Sequence, residues 1–316
     1  TRKADARAWA TEIEGQAEHI AAGGFAPIPK GATVADLIDK YGEANMKRPG
    51  KTKAATLAML RRELGKVPLA RLSAVTLRDF IDQRTKAGAG GVTIAADLSF
   101  LSAVLSWGRH ARRLDIPDRL ALDARASLKH RGLDTRSRER EREPSDDELN
   151  RLYAYWQANP RQKIHMPMLC RFALATGMRL GEICGLQVED VDRERRTAII
   201  RDRKDPRAKE GNDQEVPLLP DAWAIVAPLI EGREDGSIFG VQAASVSTAF
   251  TRACTKLGIE DLHFHDLRHR ATADLFRAGL DIPRVALMTG HKSWAMLRRY
   301  TKIKPEDVHA AFGGAR

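Results

Sequence analysis

The chain has 316 residues, 43% hydrophobic and 30% charged, with a formal net charge of +11. That length and apolar content suit two domains with cores of their own, and the positive excess points to a polyanionic partner, nucleic acid before membrane. No apolar run approaches the roughly 20 residues that span a bilayer, no secretory signal opens the chain, and Cys170, Cys184 and Cys254 lack metal-type spacing. These features speak against a membrane protein, a disulfide scaffold and a zinc module, and lead us to expect reduced core cysteines in a cytoplasmic protein.

A charged, alanine-rich stretch from Arg2 to Ile20 predicts a helix that breaks at Gly23-Gly24, Pro27 and Pro29. Residues 1–32 thus form an N-terminal extension. At Thr33 a helix start follows, with Asp36 three residues on and Val34, Leu37, Ile38 and Tyr41 on one face. Three more amphipathic helices are expected: around Leu57, Leu60 and Leu64; from Thr76 to Arg84, with Leu77, Phe80 and Ile81 inward; and from Thr93 to about His110. No strand pattern intervenes, so residues 33–115 read as an all-helical domain. Lys47, Lys51, Lys53, Arg109, Arg112 and Arg113 stud its polar faces, either as a solvated surface or as a face that meets phosphates.

Residues 116–143 are read as a linker, because 129–143 carry mixed charge and almost no apolar side chains. Pro144 and the capping box from Ser145 to Glu148 open a second domain, 144–316. Helices are expected at about 146–158, 164–175 and 180–186, then a small antiparallel sheet from Val188–Asp192, Thr197–Arg201 and Gln214–Leu218. Further helices follow at about 221–231, 245–257, 266–278, 282–289 and 305–312. The fold class is therefore mainly α with a small antiparallel β-sheet.

Three short motifs in this second domain stand out: Thr176 to Glu182, His265 to His269, and Gly290 to Tyr300. Together they supply Arg179, Arg268, His265, His291 and one late tyrosine, Tyr300. Cutting a phosphodiester without a metal requires neutralised phosphate charge, an in-line nucleophile and a proton for the leaving oxygen. Arginine suits the first task through its planar, permanently charged fork. A phenol suits the second once its proton is removed. Arg268 lies one helical turn from His265, so both can face one ligand. Tyr41 falls on an apolar helix face, and Tyr153 and Tyr155 share a helix with Leu149, Leu152 and Trp156 so that at least one is core; all three are poorer nucleophile candidates.

These boxes resemble those of tyrosine recombinases of the phage-integrase type, in the same order along the chain. The resemblance covers the second domain closely. It extends to residues 33–115 only by arrangement, as a helical core-binding domain, and to residues 1–32 as the end of an arm-binding module. It implies a site-specific DNA recombinase that works through a 3′-phosphotyrosine and a Holliday junction, without metal, ATP or another cofactor. Tyr300 would be the nucleophile, Arg179 and Arg268 would hold the nonbridging oxygens, and His291 would donate to the phosphate. His265 would serve as general base or hydrogen-bond partner, with Glu182 supporting the arginines.

The general acid in the family is a hairpin lysine about seven positions before a Val-Pro-Leu-like strand. Lys209 matches it, standing seven residues before Val216, with Lys204 as the alternative. Glu210 beside it departs from the family's small or neutral residue. His263 and His269 are read as structural, and His309 as a surface residue. Implied partners are double-stranded attachment-site DNA, three further copies in a tetramer, and DNA-bending or directionality factors. The helix at 305–312 would dock on a neighbouring copy or pack in cis. A topoisomerase of the tyrosine type and a catalytically idle DNA-binding protein are the alternative functions.

Overall fold

In a computed structural model of the chain, residues 24–44, 49–137, 140, 142–159, 161–204 and 211–300 are described, with parts of 4–15. The expected helix from Arg2 to Ile20 lies only partly within them, and Lys47, Lys209, Glu210 and the expected helix at 305–312 lie outside. The chain divides into two compact units, 1–139 and 140–316.

In the first unit the Thr33 signal is realised as a reciprocal cap. The Thr33 backbone N–H donates to Asp36 Oδ2 (2.8 Å), and the Asp36 N–H donates to Thr33 Oγ1 (3.3 Å). Helix α1 (Val34–Ala44) buries Val34, Leu37, Ile38 and Tyr41, the face expected from its spacing. Helix α2 (Lys51–Leu64) buries Leu57, Leu60 and Leu64. Helix α3 (Ala74–Lys86) is capped by Ser73 and buries Leu77, Phe80 and Ile81. Helix α4 (Gly91–His110) is the longest, and by length and hydropathy alone could cross a bilayer, contrary to the reading that no such run exists. Its Ile94, Leu98, Leu101, Val104 and Leu105 are instead fully enclosed by the neighbouring helices.

The segment 116–143 is not linker throughout. Leu120–His130 forms helix α5, and its Ala121 and Leu128 complete the same core. The basic residues around them hid this short apolar face from a reading based on charge.

The second unit opens with helix α6 (Asp146–Gln157) and its capping box. Ser145 Oγ accepts the Glu148 N–H (3.2 Å), and Glu148 Oε2 accepts the Ser145 N–H (2.8 Å). Helices α7 (Met166–Thr176) and α8 (Leu180–Gly185) follow, then strands β1 (Val191–Asp192), β2 (Thr197–Ile200) and β3 (Gln214–Pro217). The strands pair antiparallel in the order β1-β2-β3, with Ala198 opposite Val216 and Ile200 opposite Gln214. The expected first strand is shorter than its apolar pattern implied, since Val188–Asp190 winds into a 3₁₀ turn.

Helices α9 (Pro220–Ile230), α10 (Ala243–Leu257), α11 (Asp266–Arg277) and α12 (Ile282–Thr289) complete the unit. Its main core gathers Trp156, Phe172, Phe250 and Phe264 with the inner faces of these elements. Leu275, Val285, Met288 and Leu297 form a separate cluster beneath the last described turn, Arg298–Tyr300. That cluster fixes the position of the chain's late tyrosine.

Candidate active site

The first motif acquires its shape at the end of α7. Thr176 Oγ1 donates back to Phe172 O (2.8 Å), and Gly177 takes a left-handed φ of +63°, a conformation glycine adopts without a Cβ clash. The chain reverses, and Arg179 becomes the residue that opens α8. Glu182, three residues on, accepts both the Arg179 N–H (3.0 Å) and Arg179 Nη1 (2.6 Å). Glu182 is nearly buried, which alone would raise its carboxyl. The charges of Arg203 and Arg179 and the Arg179 N–H outweigh that effect and hold it below the ordinary range. The expected supporting role of Glu182 thus has a geometric basis: it orients a guanidinium.

Arg268 extends from the first turn of α11 and is only 4% exposed. It donates through Nη1 to Gly177 O (2.7 Å) and to Thr289 O, while Nη2 lies 3.1 Å from His291 Nε2. His291 Nδ1 is 2.6 Å from Thr289 Oγ1, and Arg179 Nη2 reaches Gly290 O (3.3 Å). Three stretches, the first about a hundred residues of sequence from the other two, are therefore joined by direct hydrogen bonds.

Burial, reinforced by the charge of Arg179, lowers Arg268 to about 9, so it stays protonated at neutral pH. Burial and then the charge of Arg268 push His291 down to about 3, and the same two causes lower His265, whose surface is more open. Both imidazoles are neutral at pH 7, able to donate one proton and accept another. The result is a doubly cationic pocket with neutral imidazoles at its rim, suited to an oxyanion.

Arg203 was not singled out in the sequence, yet it is a major support of this pocket. Its side chain has no exposed surface, and it donates to Leu287 O (2.8 Å), Met288 O (2.6 Å) and Gln214 Oε1 (3.3 Å). It also pairs with Glu182 at 3.4 Å. Its Nε has no hydrogen-bond partner. That atom faces Gly290, where a Cβ would lie 2.3 Å from it at a φ of +69°. Glycine is required there by both backbone conformation and space.

Nothing in the local pattern separates Arg203 from Arg201, whose Nε binds Asp190 (2.8 Å) at an exposed edge. Strand alternation ends at Asp202, which has a left-handed φ of +46° and accepts the Gly211 N–H (2.8 Å). That turn carries Arg203 inward.

Tyr300 closes the site. Leu297 is fully buried, the Tyr300 N–H donates to Leu297 O (2.9 Å), and the phenol ring is half-buried beside it. The hydroxyl is hydrogen-bonded to Nδ1 of His269. Burial raises the phenol above its ordinary value, with Arg299 and Arg268 opposing. His269, read from sequence as structural, thus touches the candidate nucleophile.

Lys204 is exposed where the chain leaves β2, and the hairpin beyond it, with Lys209, lies outside the described residues. Among the basic residues of the first unit, Lys51, Arg112 and Arg113 are exposed. Lys53 donates to Tyr41 Oη (2.8 Å), and Arg109 is held by Asp115 (3.3 Å) and Ile116 O (3.0 Å). The structure leaves Lys51 and Arg112 better placed to meet a ligand than Arg109, whose charge is locally compensated.

Comparison with known proteins matches these features. The chain is 33% identical over 166 residues to the shufflon-specific DNA recombinase of Escherichia coli, covering 52% of this chain and 41% of that protein. It is 26% identical over 311 residues to a putative integrase/recombinase of Haemophilus influenzae, covering 94% of this chain and 78% of that one. A lambda integrase, solved as a tetramer bound to a Holliday junction, shares the fold with a TM-score of 0.66 at 17% identity, covering 87% of this chain and 80% of that one. Residues 145–307, which contain every motif of the pocket, match the model of the phage integrase family, and the chain belongs to that family.

Proposed function

We propose that the protein is a site-specific DNA recombinase that cuts and rejoins strands through a covalent 3′-phosphotyrosine at Tyr300. The observation that carries this reading is the joining of Arg179, Arg268 and His291 in one pocket, with Arg268 Nη2 3.1 Å from His291 Nε2 and Tyr300 on the adjoining turn. A phosphodiester placed there meets two fixed guanidinium forks, with the neutral His291 imidazole locked beside them by Arg268 and Thr289. All three are in position before the reaction, so the charge building on the nonbridging oxygens costs little reorganisation.

Tyr300 attacks phosphorus, and the bond to the 5′-oxygen breaks. Lys209, seven residues before Val216, is assigned to protonate that oxygen from the hairpin between β2 and β3. The bond energy is retained in the phosphotyrosine, so a second 5′-hydroxyl reverses the step without ATP. No metal, nucleotide or other cofactor has a role in this scheme.

We assign double-stranded attachment-site DNA as substrate and a homotetramer on DNA as the working assembly. The lambda integrase tetramer on a Holliday junction is the support for the latter. DNA-bending or directionality factors would act as further partners, and the protein would act in the cytoplasm, where it meets the chromosome. The first unit is read as the core-binding domain, with Lys47, Lys51, Lys53, Arg109, Arg112 and Arg113 as its phosphate-contacting residues. Residues 1–32 are read as the end of an arm-binding module, and 305–312 as a helix that docks on a neighbouring copy.

Trapping on a nicked duplex tests the chemistry. The probe carries a site selected from random-sequence DNA by the full chain, and EDTA is present throughout. The unaltered protein should give an adduct that survives denaturation, and Tyr300→Phe should give none while binding the same DNA. An adduct with Tyr300→Phe moves the nucleophile elsewhere. Tight binding with no adduct from either protein favours the catalytically idle reading.

A further inference from the structure

His269, the last residue of the second motif, makes a contact for which the resemblance assigns it no role. Its Nδ1 is hydrogen-bonded to Tyr300 Oη, and the two rings lie face to face, with centroids 6.0 Å apart and planes inclined by 29°. His265, one helical turn earlier, meets His269 edge-on at 5.4 Å. The phenol hydroxyl is therefore engaged by the second histidine of the His265-Asp266-Leu267-Arg268-His269 run rather than by the first. Both partners are half-buried, which excludes part of the water that would otherwise compete for the phenol proton.

Resting on the reading of Tyr300 as nucleophile, we infer that His269 is a further catalytic residue, the base that takes the Tyr300 proton during strand cleavage. Tyr300 Oη forms its bond to phosphorus as its proton passes to His269 Nδ1. The bond from phosphorus to the 5′-oxygen breaks, the electron pair stays on that oxygen, and Lys209 supplies its proton. In rejoining, a 5′-hydroxyl gives its proton to the lysine, and the departing phenolate recovers its own from His269. No oxidant, metal or additional reactant is needed for the balance. A proton-accepting Nδ1 requires the tautomer that carries its hydrogen on Nε2.

The charges around His269 allow this. Asp266 and Arg268 lie on its own helix with His265, Arg299 and Tyr300 on the closing turn, and Arg140 and Glu143 on the segment before α6. Arg140 is itself clamped by Asp261 (2.6 Å) and Asp266 (2.9 Å) and donates nothing to the imidazole among these bonds. Burial first, and then Arg299 and Arg268 against the opposing Asp266, lowers His269 and keeps it neutral at pH 7, as a base must be. Once protonated, the same imidazolium would sit beside the phosphotyrosine ester oxygen and stabilise it as a leaving group.

The experiment measures single-turnover adduct formation by the full chain on the nicked duplex described above, between about pH 5 and 9. His269→Ala should slow the step by roughly 10²–10⁴, flatten its acidic limb, and recover with added imidazole. His269→Asn, which keeps a hydrogen-bonding group near the Nδ1 position but cannot take a proton, should be equally slow while binding DNA normally. A second substrate with sulfur in place of the bridging 5′-oxygen should restore Lys209→Ala but neither His269 variant, since a thiolate leaves without an acid.

Full activity in His269→Asn would make the residue a positioning group and overturn the proposal. So would an unchanged pH profile in His269→Ala, or a faster rate, which would mean that the contact restrains Tyr300. An adduct from Tyr300→Phe in the same assay would instead remove the nucleophile assignment beneath it.

Discussion

Replacing Arg203 with alanine tests whether the pocket depends on a buried cation that touches no substrate. The side chain has no exposed surface and satisfies the carbonyls of Leu287 and Met288. Losing a donor costs each buried acceptor about 1–3 kcal/mol. Removing one member of a buried ion pair is worth about 3–5 kcal/mol in comparable settings. Two features reduce the loss here: Glu182 keeps Arg179 as a partner at 2.6 Å, and the unpartnered Nε disappears with the side chain. A net loss of about 3 kcal/mol is expected from these opposing contributions.

For a unit the size of 140–316, that corresponds to a fall in melting temperature of roughly 6–12 °C. Thermal unfolding followed by circular dichroism reads it directly. Arg203→Lys should recover little, because an ammonium cannot span both carbonyls and Glu182 as the fork does. Gly290→Ala should be strongly destabilising beside Arg203, and less so in the Arg203→Ala background, where the opposing atom at 2.3 Å is gone. Non-additivity of about 0.5–3 kcal/mol is the expected signature. A melting temperature within about 2 °C of the unaltered protein for Arg203→Ala, together with additive behaviour, would refute the argument.

Glu182→Gln removes the charge that holds Arg179 and opposes Arg203. We expect adduct formation to fall about 10-fold or more at unchanged DNA affinity, and an equal loss in affinity would place Glu182 in binding instead. Stability should decline as pH drops from about 6.5 toward 3. His291 titrates at about 3 in the fold, and His265 is also lowered, so across that window the unfolded chain binds protons the fold does not. Urea titrations at pH 7.5 and 5 would detect this, and equal midpoints would count against buried neutral histidines. DNA binding should weaken steeply with salt, and Lys51→Ala or Arg112→Ala should each reduce the slope of log K against log salt by about 1. An Arg109→Ala slope change larger than either would contradict the local compensation of Arg109 by Asp115.

Much of this protein was settled by its sequence alone. Helices α1 to α4 and α6 to α12 follow from apolar spacing, caps and breakers, because those signals act within one or two turns of the residue that carries them. The three motifs were legible for a similar reason: each is a short run of neighbouring residues, and the proposed phosphoryl transfer would demand the side chains they carry. Helix α5 was missed because its two core contacts, Ala121 and Leu128, sit among charges whose long stems obscure a thin apolar stripe.

Only the tertiary structure decided which charged groups are partners. Arg201 and Arg203 read alike, yet one lies at an exposed edge and the other is enclosed, because a left-handed residue between them turns the chain. His265 and His269 read as catalytic and structural, yet the phenol meets His269, because Leu297 anchors the last turn over that face of α11. Local spacing sets which way a side chain leaves its own helix; what it meets there is determined by packing between segments far apart in sequence.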